Sequence, residues 1–171
     1  TASPGPPVHR PGPARYCLVE TNAGWGYSRS NEVDVTRWRS DTTLDAWGSF
    51  VDSRDLRSDT LWSATYHPVG GRLGTSSASF SADRAEFHRG VLGMETVLDV
   101  TVAAVDEVEL RRLTITNRTL RSRHLELTSY VELALSPLKA DAAHPAFAKT
   151  FVETEVMVCS HPVAVLTAAC R

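Results

Sequence analysis

The sequence predicts an all-β domain, a two-sheet antiparallel β-sandwich. Three observations carry this reading. Apolar and polar residues alternate with period two over long runs, the spacing that turns one face of a strand to a core and the other to water. Turn residues fall between those runs at short intervals. No window carries an apolar stripe of helical period with caps, apart from a short turn expected near Ala140–Phe147.

Taken in order, residues 1–14 hold five of the nine prolines and almost no large apolar side chains, which reads as an extended tail or linker. The sandwich is expected over residues 15–171. Leu98, Val100 and Val102 alternate with Asp99 and Thr101. Val108 and Leu110 alternate with Glu107 and Glu109, and beyond Arg111-Arg112 the apolar set changes phase to Leu113 and Ile115. A slip of one residue swaps faces, so a β-bulge is expected there. Asn117–Ser122 reads as a turn, which makes Val108–Thr116 and His124–Leu135 an expected hairpin. Leu125, Leu127, Ser129, Val131, Leu133 and Leu135 share one face of the longest run. Leu127, Val131, Leu133 and Ile115 are therefore the expected core.

Composition excludes several classes. The 171 residues suffice for one domain. The net charge of −2 and the lack of a basic block argue against nucleic acid. No apolar run reaches the ~18 residues of a spanning helix, so no membrane contact is expected of this domain. The start does not resemble a signal peptide. Cys17, Cys159 and Cys170 are an odd, widely spaced set without C-x-x-C. They read as incidental thiols of a cytoplasmic protein, within a parent that can itself be membrane-associated. Asn117-Arg118-Thr119 is a glycosylation pattern that has meaning only in a secretory pathway.

The most informative segment is Thr21-Asn22-Ala23-Gly24-Trp25-Gly26-Tyr27-Ser28-Arg29, followed by Thr36-Arg37-Trp38-Arg39. Glycine admits positive φ and close approach of a neighbour. Trp and Tyr give a flat apolar face with a polar handle, a surface that suits a sugar. The plain alternative is a glycine-rich turn with core aromatics. In an extended run Trp38 points opposite to Arg37 and Arg39, so Trp38 is expected inside and the arginines outside. Trp25, between two glycines, is the expected exposed platform.

These residues belong to a longer series. Thr21–Ser28 resembles the T-N-A-G-G-G-Y-S segment of glycoside hydrolase family 94, formerly glycosyltransferase family 36. Thr36–Arg39, Asp45–Phe50 and Arg54-Asp55 are similar to that family's T-R-x-R, D-x-x-G-x-F and L-R-D run. Leu61-Trp62-Ser63-Ala64-Thr65-Tyr66-His67-Pro68 resembles W-S-P-T-x-x-P, with Ala64 where proline is usual. Asp83–Phe87, Leu127–Glu132, His144–Phe147 and Phe151–Thr154 extend the likeness in one order, nearest to the cyclic β-1,2-glucan synthase branch. The resemblance implies a β-supersandwich of the galactose mutarotase-like kind. It also implies that the general acid and most phosphate-binding groups sit on a separate (α/α)6 barrel, which these residues do not contain. The parent's implied reaction is inverting phosphorolysis of a β-glucoside, without a metal or organic cofactor. Expected partners are a β-glucan or oligosaccharide, the catalytic barrel and a possible homodimer mate.

Asn22, Trp25, Tyr27, Ser28, Arg37, Arg39, Trp62 and His67 are the candidate substrate-binding residues. No catalytic residue can be placed. The dense set Asp41, Asp45, Asp52, Asp55 and Asp59 lies among Arg37, Arg39, Arg54 and Arg57 and reads as surface ion pairs and turn residues. The alternative is that Arg37, Arg39 and Asp55 fix the sugar-facing loop. His67, His88, His124 and His144 show no spacing that demands proximity. Two rival functions stay open: a free-standing carbohydrate-binding module, and a mutarotase-like epimerase, which needs a histidine and a carboxylate converging in one cleft.

Overall fold

The computed structural model of the chain describes residues 15–38, 47–70, 73–158 and 164–170. The proline-rich segment 1–14, Arg39, Asp41 and Asp45 lie outside them. Strand outweighs helix, 57% to 7%. The strands are β1 (Tyr16–Glu20), β2 (Gly26–Ser30), β3 (Val33–Thr36), β4 (Ser49–Asp55), β5 (Thr60–Ser63), β6 (Thr75–Phe80), β7 (Arg84–Val91), β8 (Met94–Val102), β9 (Glu109–Asn117), β10 (Leu125–Val131) and β11 (Leu133–Pro137). Two short helices, α1 (Leu138–Ala143) and α2 (Pro145–Lys149), fall where the helical turn was expected, and β12 (Val152–Val158) and β13 (Ala164–Cys170) close the chain as a hairpin.

All pairing among the described residues is antiparallel. One layer is the sheet β6-β7-β8-β9. The layer against it is divided into β1-β2-β3-β11 and β10-β4-β5. The main core, Tyr16, Leu18, Ala64, Ala85, Phe87, Leu98, Val100 and Val102, joins β1 and the end of β5 to β7 and β8. A second core of Trp62, Val91 and Met94, flanked by Ile115 and Leu125, joins β5 and β10 to the same sheet. Leu98 and Val100 are fully buried, as their alternation requires.

The division of the second layer arises in one stretch. His124–Leu135 is not a single strand. It breaks at Glu132, so that β10 pairs with β4 and β11 pairs with β3 in the other sheet. The expected hairpin of Val108–Thr116 with His124–Leu135 does not form. β9 instead pairs with β8 along its whole length, and β10 crosses to the opposite layer. Short-range turn signals cannot distinguish a hairpin from a crossing between layers.

The expected β-bulge is absent too. The β8–β9 register runs unbroken from Met94↔Asn117 to Val102↔Glu109. Glu109, Arg111, Leu113 and Ile115 share the inner face, and Leu110 points out. The change of phase marks where the inner face turns from apolar to charged.

Of the expected core residues, Ile115 packs against the Trp62 cluster and Leu133 is half-buried. Leu127 and Val131 are exposed, at 52% and 39%. The register places Leu125 opposite Asp55 and Leu127 opposite Ser53, on one face. The covering sheet ends at β9, and only Leu125 reaches the core. Leu127→Ala should therefore change this chain's stability by no more than about 0.5 kcal/mol. A chemical-denaturation loss near that of a buried leucine, about 2–5 kcal/mol, would contradict the placement.

Candidate functional site

The chain leaves β1 and folds tightly on itself before β2. Thr21 donates through N–H and Oγ1–H to the Trp25 carbonyl, at 3.0 and 3.1 Å, and Gly24 N–H donates to the Thr21 carbonyl at 2.9 Å. Gly24 has φ +87°, and a Cβ there would lie 2.2 Å from the Cβ of Thr65. A Cβ on Gly26 would lie 1.9 Å from the Val19 carbonyl oxygen. Both glycines are thus required by close packing as well as by conformation.

The partner is the 63–70 loop. His67 N–H donates to the Ala23 carbonyl at 3.0 Å, and Thr65 Oγ1–H donates to the His67 carbonyl at 2.6 Å. Val69 N–H donates to Ser63 Oγ at 3.1 Å, and the His67–Pro68 peptide is cis. From below, Arg89 Nη2 donates to the Gly70 carbonyl at 2.8 Å, while its Nε and Nη1 have no hydrogen-bond partner among the described residues. Burial lowers the pKa of that guanidinium. The glycine-rich segment and the 61–68 motif, forty residues apart, become one rigid unit.

Its surface carries Asn22, Trp25 and His67, all half-buried, and Tyr66, which is 43% exposed with its ring edge-on to His67 at 5.0 Å. Tyr27 follows on β2. It is half-buried, tilted against Trp38 at 5.3 Å, with the Arg29 guanidinium 5.5 Å from its ring centre.

Three other candidates stand elsewhere. Trp62 is only 1% exposed, lies in the second core and donates to Thr96 Oγ1 at 3.4 Å, so it is a packing residue. Ser28 is buried and donates to Glu109 across the layers. Arg37, expected outside, is buried. It donates through Nε to Asp141 Oδ2 at 2.9 Å and through Nη1 to Glu132 at 2.6 Å, and it ties α1 to β3. Trp38 is half-buried. The alternation argument fails here because β3 has ended before Arg37, and the carboxylate partners come from distant sequence. Arg54 pairs with Asp59 on the surface, as expected of exposed ion pairs. Asp55 instead binds Arg123 and caps the Arg57 N–H, apart from the Arg37 network.

Sequence reasoning missed the charged cluster below β2. Arg111 bridges Glu20 and Glu109 and reaches the Ser49 carbonyl at 3.2 Å. Tyr16 O–H donates to Glu109 at 3.1 Å. Burial raises the Glu20 carboxyl despite Arg111, and one of its oxygens has no hydrogen-bond partner among the described residues. Burial also raises Glu109, but Arg111, Ser28 and Tyr16 outweigh that and hold it below its usual value. Burial and then Glu109 push Tyr16 up to about 12. Two carboxylates about one arginine between packed sheets form a structural clasp, with the Arg111 guanidinium occupying the space between them. The phase change at Arg111 was its only trace in the sequence. Among the described residues no three His, Cys, Asp or Glu side chains are grouped to hold a metal ion.

An antiparallel sandwich with a divided layer and an aromatic, polar rim defines this as a β-supersandwich domain. The profile described as "Glycosyl hydrolase 94, supersandwich domain" matches residues 1–165, and the chain belongs to that family. It is similar to the cyclic beta-(1,2)-glucan synthase NdvB of Rhizobium meliloti (strain 1021), 36% identical over 141 residues, covering 82% of this chain and 5% of that protein. It is also similar to the N,N'-diacetylchitobiose phosphorylases of Vibrio proteolyticus (27% identical over 150 residues) and Vibrio furnissii (25% over 147 residues). Each of these alignments covers 81% of this chain and 18% of the phosphorylase. The chain thus spans a small part of each relative.

Proposed function

We propose that this domain is the non-catalytic, sugar-facing part of a longer enzyme that processes a β-glucan or related oligosaccharide. The observation that carries the reading is the locked pair of loops presenting Asn22, Trp25, Tyr66 and His67 on one surface. A rigid aromatic and polar surface binds with little loss of side-chain freedom, which is what weak sugar contacts require. The names of the relatives point to glucan synthesis and to phosphorolysis, and the implied parent reaction is inverting phosphorolysis with the acid on the barrel. The epimerase reading is the weaker one. The Glu86–His88 pair at 2.5 Å sits on the exposed side of β7, not in a cleft.

The test is titration of the chain, followed by NMR, with β-1,2-linked gluco-oligosaccharides and with N,N'-diacetylchitobiose. Binding should shift the Trp25 indole resonance, and Trp25→Ala should weaken it about 30-fold, the scale of an aromatic anchor. No glucose 1-phosphate should form from glucan and phosphate. Affinity unchanged by Trp25→Ala, or turnover by this chain, would refute the reading.

A further inference from the structure

Three loops meet at one end of the molecule, away from the segments described above in sequence. They are 56–59 between β4 and β5, 92–93 between β7 and β8, and 118–124 between β9 and β10. Arg123 stitches them together, donating to Asp55 at 2.6 Å and to the Leu92 carbonyl at 3.1 Å. Arg118 N–H donates to the Gly93 carbonyl at 2.9 Å, and Leu56 N–H to the His124 carbonyl at 2.9 Å.

Each loop displays a leucine: Leu56 is 57% exposed, Leu92 49%, and Leu120 entirely. Leu92 is the most telling. Among the described residues four non-glycines stand in the left-handed region, Leu135 inside β11 and three others at turns. Two of those turns use Asn31 (φ 54°) and Asp59 (φ 55°), the side-chain types that tolerate it. The third is the two-residue Leu92-Gly93 hairpin, where Asn-Gly is favoured, and it uses a leucine at φ 51°. Neither the turn nor the core calls for that side chain.

The same loops are basic. Arg57, Arg118, Arg121 and Arg123 lie here, and Asp59 of the first loop is taken up by Arg54, although the chain carries a net −2. Asp55 takes up Arg123, and Glu95 takes up Arg118. Arg57 and Arg121 are exposed and have no ion-pair partner among the described residues.

We propose that this three-loop tip docks on an anionic lipid bilayer. Leucines at three separate loop tips, flanked by arginines in loops without Phe, Tyr or Trp, fit a soft surface better than a protein pocket. The arginines would meet lipid phosphates while the leucines enter the interface. The absence of a spanning helix among the described residues bears only on crossing, not on such peripheral contact.

The test is co-sedimentation of the chain with phosphatidylcholine vesicles, alone and mixed with phosphatidylglycerol. Binding should require phosphatidylglycerol and fall with added salt. The double variant Arg57→Gln/Arg121→Gln should partition about 30-fold less, at about five- to sixfold per arginine. Leu92→Asn and Leu120→Ser should each lower partition about tenfold. Leu92→Asn suits the turn, so an unchanged or raised melting temperature confirms that the fold survives. No sedimentation, equal binding to neutral vesicles, or indifference to the leucine changes overturns the proposal. So does a dimer seen by light scattering without lipid that Leu120→Ser dissociates, which would make a second copy the occupant.

Discussion

Arg111→Met should destabilise the domain by about 3–5 kcal/mol at pH 7, the cost of leaving buried charge without its partner. Glu20 and Glu109 would then face each other across the layers with no cation between them. Glu20 is almost wholly inaccessible, and the Arg111 side chain is 18% exposed, so solvent can relieve little of this. The melting temperature should drop by roughly 10 °C. The pH dependence gives the prediction its sign. In the native domain the raised Glu20 carboxyl costs stability above its unfolded value of 4.5, and the cost disappears as pH falls toward that value. The lowered Glu109 carboxyl contributes stability above 4.5 that is lost as pH falls through its folded value. Without Arg111 both carboxyls are raised, and protonation relieves the repulsion. The deficit of the variant should therefore shrink between neutral pH and about pH 4.5. Glu20→Gln with Glu109→Gln in the same chain should recover most of the loss. Urea titrations at both pH values measure this, and a deficit under about 1 kcal/mol at pH 7 would show that the clasp contributes nothing.

Trp62→Ala should cost about 3–5 kcal/mol, as for other large aromatic truncations in cores. The second core has three buried members, and Trp62 is the largest of them. Its loss would empty the contact between β5 and the Val91–Met94 turn region and strand the Thr96 hydroxyl. The same variant separates two readings of the W-S-A-T-Y-H-P motif. If the fold weakens as stated, the tryptophan is a strut that positions Tyr66 and His67. If the variant keeps its denaturation midpoint and loses only sugar affinity, Trp62 is a contact residue and the placement is wrong.

Much of this was legible in the residues. Period-two alternation is a local consequence of the pleat, so Leu98 and Val100 could be placed without knowing their partners. The glycines of Thr21–Ser28 marked a tight passage, and the ordered motifs marked the supersandwich family. The faces of β10 were less legible. Leu127 and Leu125 alternate alike, but one is covered and the other lies beyond the edge of the opposing sheet. Arg37 was read as outward because it alternates with Trp38 in an extended run, and the carboxylates that make its burial possible, Asp141 and Glu132, lie about a hundred residues away.

The sequence by itself determined the class of fold, the strand-rich elements, the placement of the short helical turn and the segments that would be crowded. Only the tertiary structure decided which strands pair, which apolar faces are covered, and which charged groups are inside. Alternation and turn chemistry are set by neighbours along the chain. Burial and charge compensation are set by residues that meet only after the layers pack. The Glu109–Arg111 phase change shows the difference. Along the chain it resembles a slipped strand, and in the folded domain it is an unbroken strand whose inner face passes from leucine and isoleucine to an ion clasp completed by Glu20.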